Sequence, residues 1–244
     1  MLIINADDLG RDRGTTDAIF ACHERQAITS ASAMVFMADS RRAADLARRE
    51  GLDTGLHLNL TLPLDGPDVP PRVKEGQREV ARYLGRGKWP QVVYHPFLRA
   101  NLVETFQAQV EEYRRLFGQE PAQIDGHSHM HLCVNMVLGR IIPAGLKIRR
   151  TFTFGRGEKS PWNRAYRRWL DRRVLRRYKT TDAFFSIEPI SDGERLARVV
   201  GSALMSDVEL MVHPADDRQR AYLTSVLFLE LIRDVPRGGY RSLS

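Results

Sequence analysis

Three short apolar segments near the start of the chain, separated by stretches of helical length, restrict its fold more than any other feature. Leu2-Ile3-Ile4 runs into Asn5-Ala6-Asp7-Asp8 and stops at Gly10, and small, β-tolerant residues fill 29–36. The stretch 54–60 alternates, with Leu56, Leu58 and Leu60 on one side and His57, Asn59 and Thr61 on the other. Between them, Thr15-Thr16-Asp17 offers caps for a helix through Ala18, Ile19 and Cys22 to Arg25. Asp39-Ser40 does the same for a helix through Ala44, Leu46 and Ala47 that stops at Gly51. Strand, helix, strand, helix, strand is the pattern of a parallel sheet or a (β/α) barrel. Ligands of such folds gather at the carboxyl ends of the strands, where Asp7 and Asp8 stand. Asp-Asp-x-Gly is equally good turn chemistry, so the pair alone does not decide.

The pattern resumes after an interruption. From Pro63 to about Pro96 the composition turns to Pro, Gly and charge without a clear period, and 63–100 reads as a long loop on the substrate rim. Asn101 and Glu104 then have capping-box spacing, Leu102, Val103, Phe106, Val110, Tyr113 and Phe117 mark one helical face, and Gly118 ends it. A strand at 122–125 leads into Gly126-His127-Ser128-His129-Met130-His131, and a helix follows through Val134, Val137 and Leu138 to Pro143. Strands are expected at 147–152, 183–188 and 208–212, the last ending at His213-Pro214, with helices at 192–204 and 217–234. No linker or repeat divides the chain, so 1–244 reads as one α/β domain.

Composition narrows the class. With 43% hydrophobic and 27% charged residues the chain is ordinary for a soluble globular protein. No basic stretch followed by an apolar one opens it, and no apolar run reaches the length of a membrane span, so the expected compartment is the cytoplasm. Cys22 and Cys133 lie far apart without CxxC pairing, which argues against a disulfide framework and a thiolate zinc site. The balance of 37 Lys+Arg against 30 Asp+Glu suits an anionic partner.

Four predicted strands end in groups able to carry chemistry: Asp7 and Asp8, His57, the cluster Asp125 to His131, and His213. Histidine with carboxylate, and no thiolate, fits zinc or a related divalent ion with positions left for water; magnesium usually takes more oxygen ligands. His127, His129 and His131 can all point one way from an extended segment but would crowd a single ion, so at least one holds another ligand by hydrogen bond. Each has a duller alternative: His57 as a polar residue on a solvated side, His213 as a strand terminator before proline. His23 and His95 are assigned to helix surface and loop. Convergence from several strand ends is what favours a mononuclear hydrolytic site.

These stretches carry a resemblance. Asn5 to Gly10, Gly55 to Thr61, Asp125 to His131 and Glu209 to Pro214 resemble, in order, the four motifs of the YdjC-like carbohydrate deacetylases. The resemblance implies an irregular (β/α) barrel of the polysaccharide-deacetylase kind, one divalent metal (Zn or Mg), and removal of acetyl from an N-acetylated amino sugar. It implies Asp8, His57 and His127 as metal ligands, Asp7 as base and His213 as acid. Asn5, Asn59, Asp125, His129 and His131 are left as groups that hold a ligand or meet the substrate. Leu9 stands where the family often has Phe, which touches only local packing. An adjacent pair on a regular strand points to opposite sides, so Asp7 and Asp8 can share a site only if the backbone turns there.

The stretch 163–179 places Tyr166, Trp169, Leu170, Val174 and Tyr178 near one helical face among many arginines. A basic amphipathic helix with aromatics suits an anionic membrane surface; an ordinary helix packing its stripe on the barrel has the same pattern. The segment also resembles the hopanoid-associated branch of the family, which implies a lipid-linked amino sugar. Competing readings are a metal-dependent phosphoester hydrolase, against which no GxxxxGK[ST] loop is found, and a membrane or nucleic-acid binding module, which leaves the strand ends unexplained. Nucleic acid is not expected as a partner; a homodimer is a fair prior.

Overall fold

The computed structural model describes residues 1–154 and 160–243. In chain order the elements are β1 (Leu2–Leu9), α1 (Arg13–Glu24), β2 (Ser30–Ala33), α2 (Ser40–Glu50), β3 (Asp53–Leu58), α3 (Pro71–Leu84), α4 (Trp89–Val92), α5 (Arg99–Phe117) and β4 (Ile124–Gly126). A 3₁₀ segment His127–Leu132 leads to α6 (Val134–Leu138), α7 (Pro161–Leu175), β5 (Ala183–Ser186), α8 (Gly193–Ser202), β6 (Val208–Val212), α9 (Asp217–Leu223) and α10 (Val226–Ile232). The strands form one parallel sheet in the order β4-β3-β2-β1-β6-β5. Residues 147–153 close the gap between its edges: Ile148 bridges to Ile124 of β4, Lys147 to Lys179, and the Thr153 N–H reaches the Phe184 carbonyl of β5 at 2.8 Å. The result is an irregular (β/α) barrel. The regular strand expected at 147–152 is instead a segment that pairs on alternate sides, one bridge at a time.

Alternation along β1 sorts the barrel wall. Leu2, Ile4 and Ala6 belong to the main hydrophobic cluster under the helices, where Ile19, Ala31, Leu56 and Leu210 are also fully buried. Asn5 and Asp7 are equally buried and meet polar partners. Ser30, Ser32, Gln123, Asp125, Arg149 and Glu209 are all buried and hydrogen-bonded around them, so the barrel interior is polar. Such a filling is stable only where each group is paired, since a buried unpaired polar group costs about 1–3 kcal/mol. Gly55 admits Gln123 here: a Cβ on Gly55 would stand 2.1 Å from the Gln123 side chain. At the opposite end, Ile3, Ala122, Tyr240 and Leu243 form a second small apolar cluster that plugs the barrel.

Several local expectations change. The stretch 63–100 is not a bare loop: α3 buries Val73, Gln77, Val80 and Leu84, a helical face disguised by its glutamine and by flanking Pro and Gly. Asn101 is no cap, because the helix begins at Arg99; its side chain bonds Glu79 of α3 instead. Asp12 caps α1 by accepting from the Thr15 N–H at 2.8 Å. The helix expected at 217–234 breaks at Thr224-Ser225, where Ser225 caps α10. The basic helix spans Pro161–Leu175 rather than 163–179, and Leu170, Val174 and Tyr178 are buried. Its apolar stripe therefore packs on the barrel.

Candidate metal centre

The two adjacent acids both come within reach of His57 because β1 is not regular at its end. Between the pairs Ala6–Ala31 and Leu9–Ala33, β1 advances three residues while β2 advances two. The surplus residue is taken up at Asp8, whose φ of 73° is left-handed. Aspartate tolerates that region better than most residues, and a bulge of this kind re-aims a side chain. The backbone turn that the pair requires thus falls on Asp8 itself, ahead of Gly10.

Asp8 Oδ1 lies 3.2 Å from His57 Nε2 and 3.1 Å from His127 Nδ1, and its Oδ2 accepts from Arg11 at 2.7 Å. One ligand atom from each of Asp8, His57 and His127 falls within 4.8 Å of the others. The two imidazoles stand edge to face, 5.7 Å between centroids. Behind His57, Asp125 Oδ1 sits 2.7 Å from Nδ1 and turns Nε2 toward Asp8. A carboxylate behind a ligating histidine is the usual support of such a ligand. The donor set of two nitrogens and one oxygen fits a divalent ion, and the charge around it agrees: Asp7, Asp8, Asp125 and Glu209 are buried carboxylates, with Arg149 the fully buried guanidinium among them.

Burial opposes ionisation of Asp8, yet hydrogen bonds from His127 and His57 and their charges carry it well below the usual carboxylate range. Burial likewise works against a charged His57, but Asp125 and Asp7 outweigh it and push the imidazole up to about 10. A cation entering here competes with a proton on His57.

Arg149 is the group that the sequence did not reveal. Its Nη1 and Nη2 grip both oxygens of Asp7 at 2.7 and 2.6 Å, Nη2 lies 2.8 Å from Asp125, and Nε donates to Glu209 at 2.8 Å. Phe184 lies under the guanidinium, 4.9 Å from its centroid. Burial disfavours the cation, but Asp125, Asp7 and Glu209 together hold it firmly charged. Asp7 also accepts from Asn5 at 2.9 Å. A buried arginine carries no local sequence signature; only the surplus of acids pointing into the barrel calls for one.

The other candidates separate. Ser128 and His129 both adopt left-handed φ, 53° and 58°, so the three histidines do not lie on an extended segment and do not share one direction. His129 packs edge-on against Phe152, 4.7 Å between centroids, and burial with the Arg149 charge holds it well below its ordinary value. His131 is buried with Nε2 3.0 Å from the Arg149 carbonyl, and burial lowers it to about 4. Asn59 folds its own loop, accepting from the Thr61 and Leu62 N–H groups, and stands apart from the cluster. His213 follows β6 one position beyond the Ala6–Val212 pair, the last that β1 and β6 make; its N–H donates to Gln219 Oε1 at 2.7 Å.

A polar barrel with Asp and His converging at the carboxyl ends of its strands has the donors of a candidate metal centre. The chain belongs to the YdjC-like protein family, whose model matches residues 1–234. It is 30% identical over 224 residues to a chitooligosaccharide deacetylase of Serratia marcescens, covering 88% of this chain and 81% of that protein. The match to the chitooligosaccharide deacetylase of Proteus mirabilis (strain HI4320) is 31% over 133 residues, covering 54% of this chain and 50% of that protein, so the matched part is half of that relative's length. Among solved structures, a protein of Enterococcus faecalis V583 described as a cellobiose-phosphate cleavage protein has the same fold, with a TM-score of 0.66, 20% identity, and coverage of 100% and 98%.

Proposed function

We propose that this chain is a metal-dependent hydrolase that removes acetyl from an N-acetylated amino sugar. The observation that carries the reading is the convergence of Asp8, His57 and His127 within 4.8 Å, with Asp7 held beside them by Arg149. Membership of a family that includes chitooligosaccharide deacetylases supplies the substrate class. Asp8, His57 and His127 would hold the ion, and their mixed donors favour zinc over magnesium. Bound there, such an ion lowers the pKa of water and polarises the amide carbonyl. Asp7 takes the proton of the attacking water. His213, just past the end of β6, gives a proton to the departing amine. Asp125 keeps His57 in the ligating orientation throughout.

The sugar enters beside the cluster. A cavity of about 390 Å³ between α4, the 128–133 turn and α7 is lined by Lys88, His129, Arg150, Phe152, Tyr166 and Arg167, among others. Trp89 and Trp162, next in the chain to the lining residues Lys88 and Asn163, are 78% and 86% exposed. With the arginines of α7 this rim suits a substrate presented on an anionic membrane, even though the helix's own stripe is used inside. Among the described residues no helix is long and apolar enough to cross a membrane.

The test is acetate release from short chito-oligosaccharides and from a lipid-linked N-acetylglucosamine, with and without chelator and after reloading with zinc or magnesium. Metal-dependent release that His127→Ala abolishes is the expected result. Activity untouched by complete metal removal, or hydrolysis of phosphoesters alone, would reject the reading. Flotation with anionic against neutral liposomes tests the membrane part separately.

A further inference from the structure

Glu209 is the second residue of β6, among Val208, Leu210, Met211 and Val212, and is fully buried. A carboxylate there is expensive, because removing a charge from water costs several kcal/mol even after relaxation. Neutralising Arg149 does not require it, since Asp7 takes both Nη groups and Asp125 lies against one of them. What Glu209 adds is a contact on the Nε side: its Oε1 accepts from Arg149 Nε at 2.8 Å and lies 2.8 Å from Nη2. Its other oxygen accepts from the Tyr240 hydroxyl. Tyr240 is fully buried in the apolar plug, and its carbonyl accepts from Lys147 Nζ at 2.8 Å. Tyr240, Glu209, Arg149 and Asp7 thus form an unbroken hydrogen-bonded series from the barrel's closed end to its mouth.

From this series we infer that Glu209 is a positioning residue for the reaction: it locks the Arg149 guanidinium in the plane in which Arg149 holds the Asp7 carboxylate. The inference rests on the deacetylase reading with Asp7 as base. A planar guanidinium gripped on its Nη edge alone can still swing about its long side chain. Gripped on the Nε edge as well, it has one orientation, and Asp7 with it. A misplacement of about 1 Å at a reacting group can cost a hundredfold in rate, so a residue remote from the substrate can govern kcat without touching KM.

The test uses the full chain loaded with metal, with acetate release as the assay and bound metal measured alongside. Glu209→Met removes the acceptor at similar length; it should lower kcat about a hundredfold with KM changed less than about twofold and bound metal unchanged. Glu209→Gln keeps an oxygen for Arg149 Nε and should recover kcat to within about fivefold of the parent. Parent-like kcat in a folded Glu209→Met protein, or parallel loss of kcat, substrate affinity and metal in both variants, would overturn the inference. Should Glu209→Met fail to fold, Tyr240→Phe decides: a several-fold drop in kcat at constant KM supports the series, and an unchanged kcat refutes it. Asp7→Asn serves as the control. If it retains full activity, Asp7 is not the base and the functional reading itself fails, a result distinct from silent Glu209 variants in an enzyme that needs Asp7.

Discussion

Arg149 holds Asp7 by both carboxylate oxygens, at 2.7 and 2.6 Å, from a segment of chain that is only loosely part of the barrel wall. The neighbouring acid, Asp8, turns one oxygen to His57 and His127 and the other to Arg11. Two carboxylates adjacent in sequence are thereby given different partners and different work.

Arg149→Met should be severe on two counts. Removing one partner from a buried ionic network costs about 3–5 kcal/mol, because the remaining charges stay buried. Urea unfolding should show a loss of that size, and any folded fraction should have kcat reduced by about a hundredfold or more. A variant of parent stability would mean that the three acids around Arg149 are not ionised together.

Asp125→Asn leaves the ligands in place and disturbs what stands behind one of them. Loss of the carboxylate partner of a ligating histidine typically weakens metal affinity about 10–100-fold. Titration against a competing chelator should report a weakening in that range.

Metal uptake should release protons. With His57 pushed up to about 10 by Asp125 and Asp7, the imidazole carries a proton through the neutral range that the ion must displace. Affinity should therefore rise as pH rises from 6 to 8, about tenfold per unit for one proton. Calorimetry in buffers of different ionisation enthalpy should show heats that scale with the buffer.

His131 gives stability a pH dependence of definite sign. Its folded value of about 4 lies below its ordinary 6.5, so below 6.5 the unfolded chain binds a proton that the folded one refuses. Stability from this residue is complete above 6.5, falls as the pH drops, and levels off near 4, a change of about 3 kcal/mol. Glu209, raised to about 7 chiefly by burial, acts in the opposite direction over part of that window. The His131 contribution is therefore read as the difference between the parent and His131→Gln in urea midpoints from pH 7 to 4. Parallel curves would refute it.

What the sequence made legible follows from what periodicity encodes. Leu2-Ile3-Ile4 and the 54–60 alternation announce buried strands, and acids or histidines at their ends stand out because strand ends are where ligands bind. Nothing local marks Arg149, one of many arginines, in a stretch whose pairing is settled by β4 on one side and β5 on the other. Glu209 opens the fourth motif, but its apolar neighbours give no sign that it turns inward to an arginine. The common direction expected of the three histidines fails for a related reason: spacing gives direction only if the backbone is regular, and Ser128 and His129 leave the extended region. In α3, Gln77 occupies a core position because its amide donates to the Leu62 carbonyl at 2.7 Å, a partner far off in sequence.

The surplus residue in β1 makes the centre depend on counting. Every acid and histidine could be retained, yet a deletion that restored equal steps between β1 and β2 would turn one of the two carboxylates out among the helices. Searches for distant relatives of this chain should therefore treat the length between Ala6 and Gly10 as being as diagnostic as the letters that fill it. A sequence one residue short there has lost the arrangement even if it has kept the alphabet.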